Sequence, residues 1–432
     1  MEQRVSYVST AGAAPPADLR TALHAGLAPD GGLYLPSPLA PLPPGTIAAM
    51  RDAPWTDVAR AVARHLLEPE LDRGTVDAIV REALDFPLPL VPLTDRVHVL
   101  ELFHGPTGAF KDVGAQFLAR ALAATRAPGE ATTVLTATSG DTGGAVAHAF
   151  HGMPGTRVVI LFPIGQVSPL QERQFTTLGG NVTALGVRGT FDDCQRLVKE
   201  AFATREIAGR LRLTSANSIN VGRLLPQVFY YFYAAAQLAD RAEVLVSVPS
   251  GNFGNLAAGL IAKRLGAPVA RLVAATNAND VVPEYLETGR FVARPSVRTI
   301  SSAMDVGNPS NFERVHALYD GDVARLRRDV AGSAFDDDAT RQCMAQTFRR
   351  RGYVLDPHSA VGMLGLEAEL TAHPRANGVL LATAHPAKFA DAVEPEVGCG
   401  VAAPPALARL AQLESRYATI EPRLDALAPH LP

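Results

Sequence analysis

Lys111 closes the run Phe103-His104-Gly105-Pro106-Thr107-Gly108-Ala109-Phe110-Lys111-Asp112. A lysine beside Phe110 and behind a Gly-Pro loop is not on an evidently solvated face. A partly buried ammonium gives up its proton more readily than an exposed one, which suits Schiff-base chemistry. The competing account is a lysine simply paired with Asp112. The chain has four lysines among 40 basic residues: Lys111, Lys199, Lys263 and Lys388. Lys199, in a polar helix, and Lys263, near a helix C-terminus, read as surface and dipole-complementing cations. Lys388 follows His385-Pro386, where an anion contact and a helix-surface position account for it equally.

Four further loops concentrate polar groups. Ser250-Gly251-Asn252-Phe253-Gly254-Asn255 lies between a strand and a helix. Its two glycines let the backbone approach a ligand, and the helix adds its positive end, so the loop reads as an anion site, best suited to phosphate. It is neither a Walker loop nor GxGxxG, and a glycine-rich turn without a ligand competes. Ser139-Gly140-Asp141-Thr142-Gly143-Gly144 offers the Ser139 and Thr142 hydroxyls and the Asp141 carboxylate. An Asp or Ser N-cap explains one of these residues but not their density. Ser215-Ala216-Asn217-Ser218-Ile219-Asn220-Val221-Gly222-Arg223 places amides and hydroxyls ahead of an arginine fork suited to phosphate or carboxylate. A turn and cap before a helix over Leu224–Leu238 is the alternative. In Asp305 to Glu313, Ser310 and Glu313 fit a capping box that opens a helix. His148 and His151 lie three apart but lack an HExxH pattern, so no metal is expected.

These loops need a scaffold, and the hydrophobic pattern supplies one. Strands are expected over Thr132–Thr138, Arg157–Phe162, Asn181–Val187, Glu243–Val248, Val269–Thr276 and Gly378–Thr383. Helices are expected over Trp55–Leu67, Thr75–Leu84, Ala145–Phe150, Pro169–Leu178 and Leu256–Leu265, and from Ala387. Continuous apolar strands alternating with helices mean buried parallel sheet, an α/β fold. Ligands of such sheets sit beyond the carboxyl ends of the strands. That points to the loops after Thr138, Val248 and Thr383. Residues 404–432 read as one or two amphipathic surface helices.

Composition bounds the function. At about 150 residues per domain, 432 residues suggest two or three domains. The net charge of −3 argues against a dedicated nucleic-acid binder. Apolar content of 47% supplies a large core. The three cysteines, Cys194, Cys343 and Cys399, form no CxxC pair and fit a reducing cytosol. Met1 to Ser6 shows no secretory leader, and no run reaches the ~18 apolar residues of a membrane span. The reading is a soluble, cytoplasmic protein of unknown oligomeric state.

Taken together, seven stretches between about residues 25 and 390 resemble, in order, the threonine synthases of the longer bacterial and fungal type. These are pyridoxal phosphate (PLP) enzymes of fold type II, the tryptophan synthase β-like fold. The stretches are Ala25–Tyr34, His104–Asp112, Ala137–Gly143, Ser215–Asn220, Pro249–Gly254, Met304–Asn311 and His385–Phe389. Gly108 stands where the family usually has a larger apolar residue, which could loosen the lysine loop. Asn255 stands where many members carry Asp. The resemblance implies that Lys111 is the catalytic lysine and binds PLP as a Schiff base. It implies that Gly251, Asn252, Phe253, Gly254 and Asn255 hold the cofactor's phosphate, and that Thr383 lies near its pyridine nitrogen. Ser139, Thr142, Asn217, Ser218, Asn220 and Arg223 are expected to hold the substrate, O-phospho-L-homoserine, which the family converts with water to L-threonine and phosphate. A smaller α/β domain over 125–225 is expected inside a larger PLP-binding one over 96–124 and 226–400. An N-terminal segment over 1–95 and C-terminal helices over 401–432 would flank them. A related phospholyase on the same scaffold is the nearest alternative; a non-enzymatic nucleotide-binding α/β protein is the remote one.

Overall fold

The computed structural model describes residues 5–68, 70–238 and 243–431; the stretch Met1–Arg4, part of the Met1–Ser6 reading, lies outside them. An N-terminal ribbon pairs β1 (Ser6–Ser9) antiparallel with β2 (Tyr34–Ser37). The short helix Leu19–Ala25 lies between these strands, and after the short helix Pro44–Ala48 come two longer ones, Trp55–Leu67 and Arg73–Ala83. They share one apolar core with the sheets that follow, and Trp55 packs edge-on to Tyr233.

Two sheets carry the rest. The larger is built from β3 (Leu90–Pro92), β4 (Val97–Glu101), β9 (Val244–Pro249), β10 (Arg271–Thr276), β11 (Val330–Ala334) and β12 (Asn377–Ala382), in the order β11-β10-β9-β12-β4-β3. Only β3 runs antiparallel to its neighbour. The smaller is wholly parallel, in the order β13-β7-β6-β5-β8. Its strands are β5 (Thr132–Ala137), β6 (Thr156–Pro163), β7 (Val182–Val187), β8 (Leu213–Thr214) and β13 (Ala418–Ile420). Every residue of β5, β9 and β12 is buried, as strands covered on both faces by helices must be.

Three elements depart from the sequence pattern. The helix expected over Leu224–Leu238 is two, Val221–Leu224 and Gln227–Ala236, because Pro226 has no N–H to carry the ladder through. The helix expected from Ala387 opens with the 3₁₀ turn Pro386–Phe389 and becomes α-helical at Ala390–Val397. The stretch after Pro404, expected as amphipathic helices, holds Pro405–Leu410 and Leu424–Leu427 with β13 between them. β13 adds to the edge of the smaller sheet, with Ala418 opposite Leu185. The tail stays there because Ile420, Leu427 and Leu431 are buried in the same cluster as Leu185, Val187 and Leu197. Among the described residues no helix is long and apolar enough to cross a membrane.

Candidate active site

The lysine loop is stitched to the end of β12. Phe110 N donates to Thr383 O at 2.9 Å, His385 N donates to Gly108 O at 2.9 Å, and Ala109 bridges Ala384. Gly108 adopts φ +67°, a left-handed conformation that side chains resist, so glycine fits this backbone rather than loosening it. Thr383 is buried at the strand end. Lys111 opens the helix Lys111–Thr125 and is half-buried as a residue. Among the described residues that amine makes no hydrogen bond or ion pair; the Phe110 ring lies 5.9 Å away. Desolvation lowers its pKa, Asp141 opposes the shift, and Lys388 and Arg223 reinforce it. Asp112 does not pair with it: that carboxylate is fully buried and accepts from Thr107 N at 2.9 Å and Thr107 Oγ1 at 2.8 Å.

After β9 the chain turns through Phe253, a non-glycine residue at φ 60°, before the helix Gly254–Arg264. The first intrahelical bond runs from Ala257 N to Phe253 O, which leaves the N–H groups of Gly254, Asn255 and Leu256 outside the helix ladder. Asn252 holds the turn in place. Its Nδ2 donates to Ser218 Oγ at 2.8 Å, and its Oδ1 accepts from Ser310 N at 2.6 Å. Gly251 is required by packing, since a Cβ there would stand 2.7 Å from the Met304 Cα. Asn255 turns its side chain away from the turn: Oδ1 accepts from Tyr230 and Tyr231 hydroxyls at 2.6 and 2.8 Å. Its Nδ2 is buried without a partner among the described residues, and its backbone N–H is one of those outside the helix ladder.

After β5 the hydroxyl of Thr138 organises the turn, accepting from Gly140 N at 3.0 Å and Gly143 N at 2.8 Å. Neither Ser139 nor Asp141 caps the helix Asp141–Phe150. Ser139 is exposed and Thr142 half-buried, and among the described residues their hydroxyls are uncommitted. Asp141 is buried and faces Lys388.

The segment before Arg223 divides. Asn220, expected at the substrate, is instead a fully buried cap. Its Nδ2 donates to Leu23 O at 2.8 Å and Ser215 O at 2.9 Å, and its Oδ1 accepts from Gly222 N at 2.9 Å. Ser218 is half-buried, whereas Asn217 Oδ1 is buried without a partner among the described residues. Arg223 is buried against Gly114, with Nη1 donating to Ala216 O at 2.5 Å and Nε unpaired among the described residues. Burial lowers its pKa to about 10.

Sequence reasoning missed Arg314. It is fully buried and donates to Tyr34 O at 3.1 Å, Ser218 O at 2.9 Å, Ile219 O at 2.6 Å and Asn311 Oδ1 at 2.5 Å. Among the described residues no side-chain carboxylate pairs with it, and burial lowers its pKa to about 9. Its one sequence signal was its place in the helix that follows the Asp305–Glu313 stretch. The capping box expected there does not form: Asn311 precedes the helix Phe312–Leu318 without a side-chain cap, and Glu313 accepts from Thr10. Among the described residues no three His, Cys, Asp or Glu side chains converge as a metal-ligand set.

Comparison with known proteins gives three family matches along the chain: threonine synthase N terminus over residues 6–84, pyridoxal-phosphate dependent enzyme over 86–383, and threonine synthase C-terminal over 359–430. The threonine synthase of Haemophilus influenzae is 46% identical over 394 residues, 91% of each chain. The crystal structure of threonine synthase from Escherichia coli superposes with a TM-score of 0.92 at 41% identity, covering 98% of this chain and 99% of that one. The PLP-bound threonine synthase from Brucella melitensis gives 0.92 at 40% identity, covering 99% and 98%. The α/β architecture is therefore that of fold type II, and the chain belongs to the threonine synthase family of PLP-dependent enzymes.

Proposed function

We propose that the protein converts O-phospho-L-homoserine and water to L-threonine and phosphate in the cytoplasm. PLP would be held by Lys111, by the turn Gly251–Asn255 and by Thr383. The observation that carries this reading is the Lys111 amine at the head of its helix, without a hydrogen-bonding partner among the described residues and with a pKa lowered by burial. The donor set fits the cofactor: among the described residues it comprises an amine without a partner, helix N–H groups outside the ladder after a strained turn, and two buried arginines without side-chain carboxylate partners. Excess buried positive charge favours a bound phosphate anion. When bound, PLP supplies the electron sink that chemistry at the β- and γ-carbons requires.

The chain's own groups would do the rest. In its unprotonated form, which burial favours, the Lys111 amine takes the substrate's α-proton and returns protons to neighbouring carbons. Ser139 and Thr142 offer uncommitted hydroxyls to the substrate carboxylate. Asn217, Ser218 and Arg223 face its phosphate, with Asn220 positioning their segment. Thr383 gives the pyridine nitrogen a neutral hydroxyl rather than a carboxylate. In this reading the larger lobe is 96–124 and 226–400, the smaller is 125–225, residues 1–95 brace the core, and the tail from 401 returns onto the smaller lobe.

The test is the visible absorption of purified protein with added PLP, for wild type and Lys111→Ala, followed by product analysis with O-phosphohomoserine. Wild type should show the cofactor band and release threonine and phosphate, and the variant neither. A wild-type protein that PLP cannot colour would overturn the reading. A keto acid in place of threonine would make the chain a phospholyase.

A further inference from the structure

Lys388 carries its charge into the interior. It is 3% exposed, and Nζ lies 2.6 Å from Asp141 Oδ1, 2.8 Å from Thr107 O and 3.3 Å from Gln174 Oε1. Three donors meet three acceptors, so the ammonium is fully satisfied. The acceptors come from separate parts of the fold. Asp141 opens the helix after β5, and Gln174 lies in the helix Pro169–Thr176, both around the smaller sheet. Thr107 belongs to the lysine loop, and Lys388 itself follows β12 of the larger sheet. The knot closes on itself: Gln174 Nε2 donates to Thr107 O at 2.7 Å and Gln171 Nε2 to Asp141 Oδ1 at 2.8 Å. Thr107 in turn holds Asp112, the neighbour of Lys111.

A buried ion pair is a poor stability device, since desolvation offsets much of its attraction and an apolar replacement is often as stable. What this pair does provide is geometry. One ammonium touches the loop that carries Lys111 and the carboxylate two residues beyond Ser139. We propose that Lys388 and Asp141 are positioning residues, which together fix the Lys111 loop of the larger sheet against the Ser139–Thr142 loop of the smaller one. This rests on the roles given above to those two loops. Neither residue needs to touch substrate. Each acts by setting the distance between the amine and the bound carboxylate, and a displacement of about 1 Å in such a distance can cost about a hundredfold in rate.

The experiment compares wild type, Lys388→Met, Asp141→Asn and the double variant in the presence of PLP, with amide exchange followed also on cofactor-free protein. Expected for Lys388→Met is retained cofactor absorption, little change in KM and a kcat lower by about a hundredfold. The double variant removes both charges, so it should recover the thermal midpoint without recovering kcat. Exchange in 105–112 and 139–144 should quicken together in both. A double variant that regains kcat with its stability, or a folded Lys388→Met with wild-type kcat, overturns the proposal. So does faster exchange confined to the vicinity of residue 388. If Lys388→Met does not fold, the double variant decides. A wild type that forms no threonine would overturn the assigned function instead, and exchange on the cofactor-free protein would still decide whether the two loops are coupled.

Discussion

Asn252 and Ser218 are joined side chain to side chain, Asn252 Nδ2 donating to the Ser218 hydroxyl oxygen at 2.8 Å. The bond ties the glycine-rich turn after β9 to the segment that leads to Arg223. Asn311 Nδ2 donates to the same oxygen at 3.0 Å, so one hydroxyl holds three stretches of chain together. Ser218→Ala removes both bonds and leaves two amide donors short of an acceptor. A net hydrogen bond contributes about 1 kcal/mol, so PLP affinity should fall by about tenfold or more. Titration of cofactor-free protein with PLP, followed by absorbance, measures this. An unchanged affinity would show that the turn holds its shape without Ser218.

Arg314 stands behind that junction. Its guanidinium satisfies three backbone carbonyls and the Asn311 amide oxygen, and one of the carbonyls, Tyr34 O, belongs to the N-terminal segment. Arg314→Met would orphan buried acceptors in three segments at once. Unfolding free energy should drop by at least about 3 kcal/mol, and PLP should bind more weakly. Arg314→Lys keeps the charge but not the fork and should recover only part of the loss. Denaturant titration of the three proteins checks this. A stable Met variant would mean that the carbonyls find other donors.

What the sequence made legible follows from where each signal is encoded. β5, β9 and β12 were readable because each is a largely apolar run bounded by a loop, Gly- and Ser-rich after β5 and β9 and Thr383-Ala384-His385-Pro386 after β12. Lys111 and the 251–255 turn were readable because their local context is unusual. β13 was not, since three residues carry no usable period and its burial depends on pairing with β7 across the chain. Arg314 looked like one arginine among many, because its backbone acceptors lie about 95 and 280 residues away in sequence. Asn220 matched the expected polar segment, yet its amide points back into its own turn. Lys388 could not be placed, because the same motif fits a surface lysine until Asp141 is brought against it.

Gly108 gives a test of backbone rather than of contact. Its φ of +67° is open to glycine and costs other residues. A Cβ there would also stand 3.1 Å from Leu407 Cδ1, on the C-terminal helix. Gly108→Ala should therefore lower stability by about 1–2 kcal/mol. It should also loosen the pinning of the lysine loop, seen as faster amide exchange at Phe110. Equal or greater stability in the variant would show that the loop has a second conformation without the positive φ.

Asp112 predicts how stability depends on pH. Burial pushes its carboxyl up from 3.8 to about 6, against the opposing bonds from Thr107. The folded protein then keeps this proton at pH values where the unfolded chain has already lost it. Stability from this group is complete below about pH 4, declines as pH rises from about 4 to about 6, and is level above that. At 1.36 kcal/mol per unit the decline is about 3 kcal/mol. Other carboxylates contribute slopes of their own, so the informative quantity is wild type minus Asp112→Asn, measured by urea unfolding at several pH values between 4 and 7. That difference should fall with rising pH across the window, whatever constant offset the altered Thr107 bonds introduce. A flat difference would mean that Thr107 holds Asp112 as a carboxylate throughout, with its charge balanced by the buried Lys388 and Arg223 nearby.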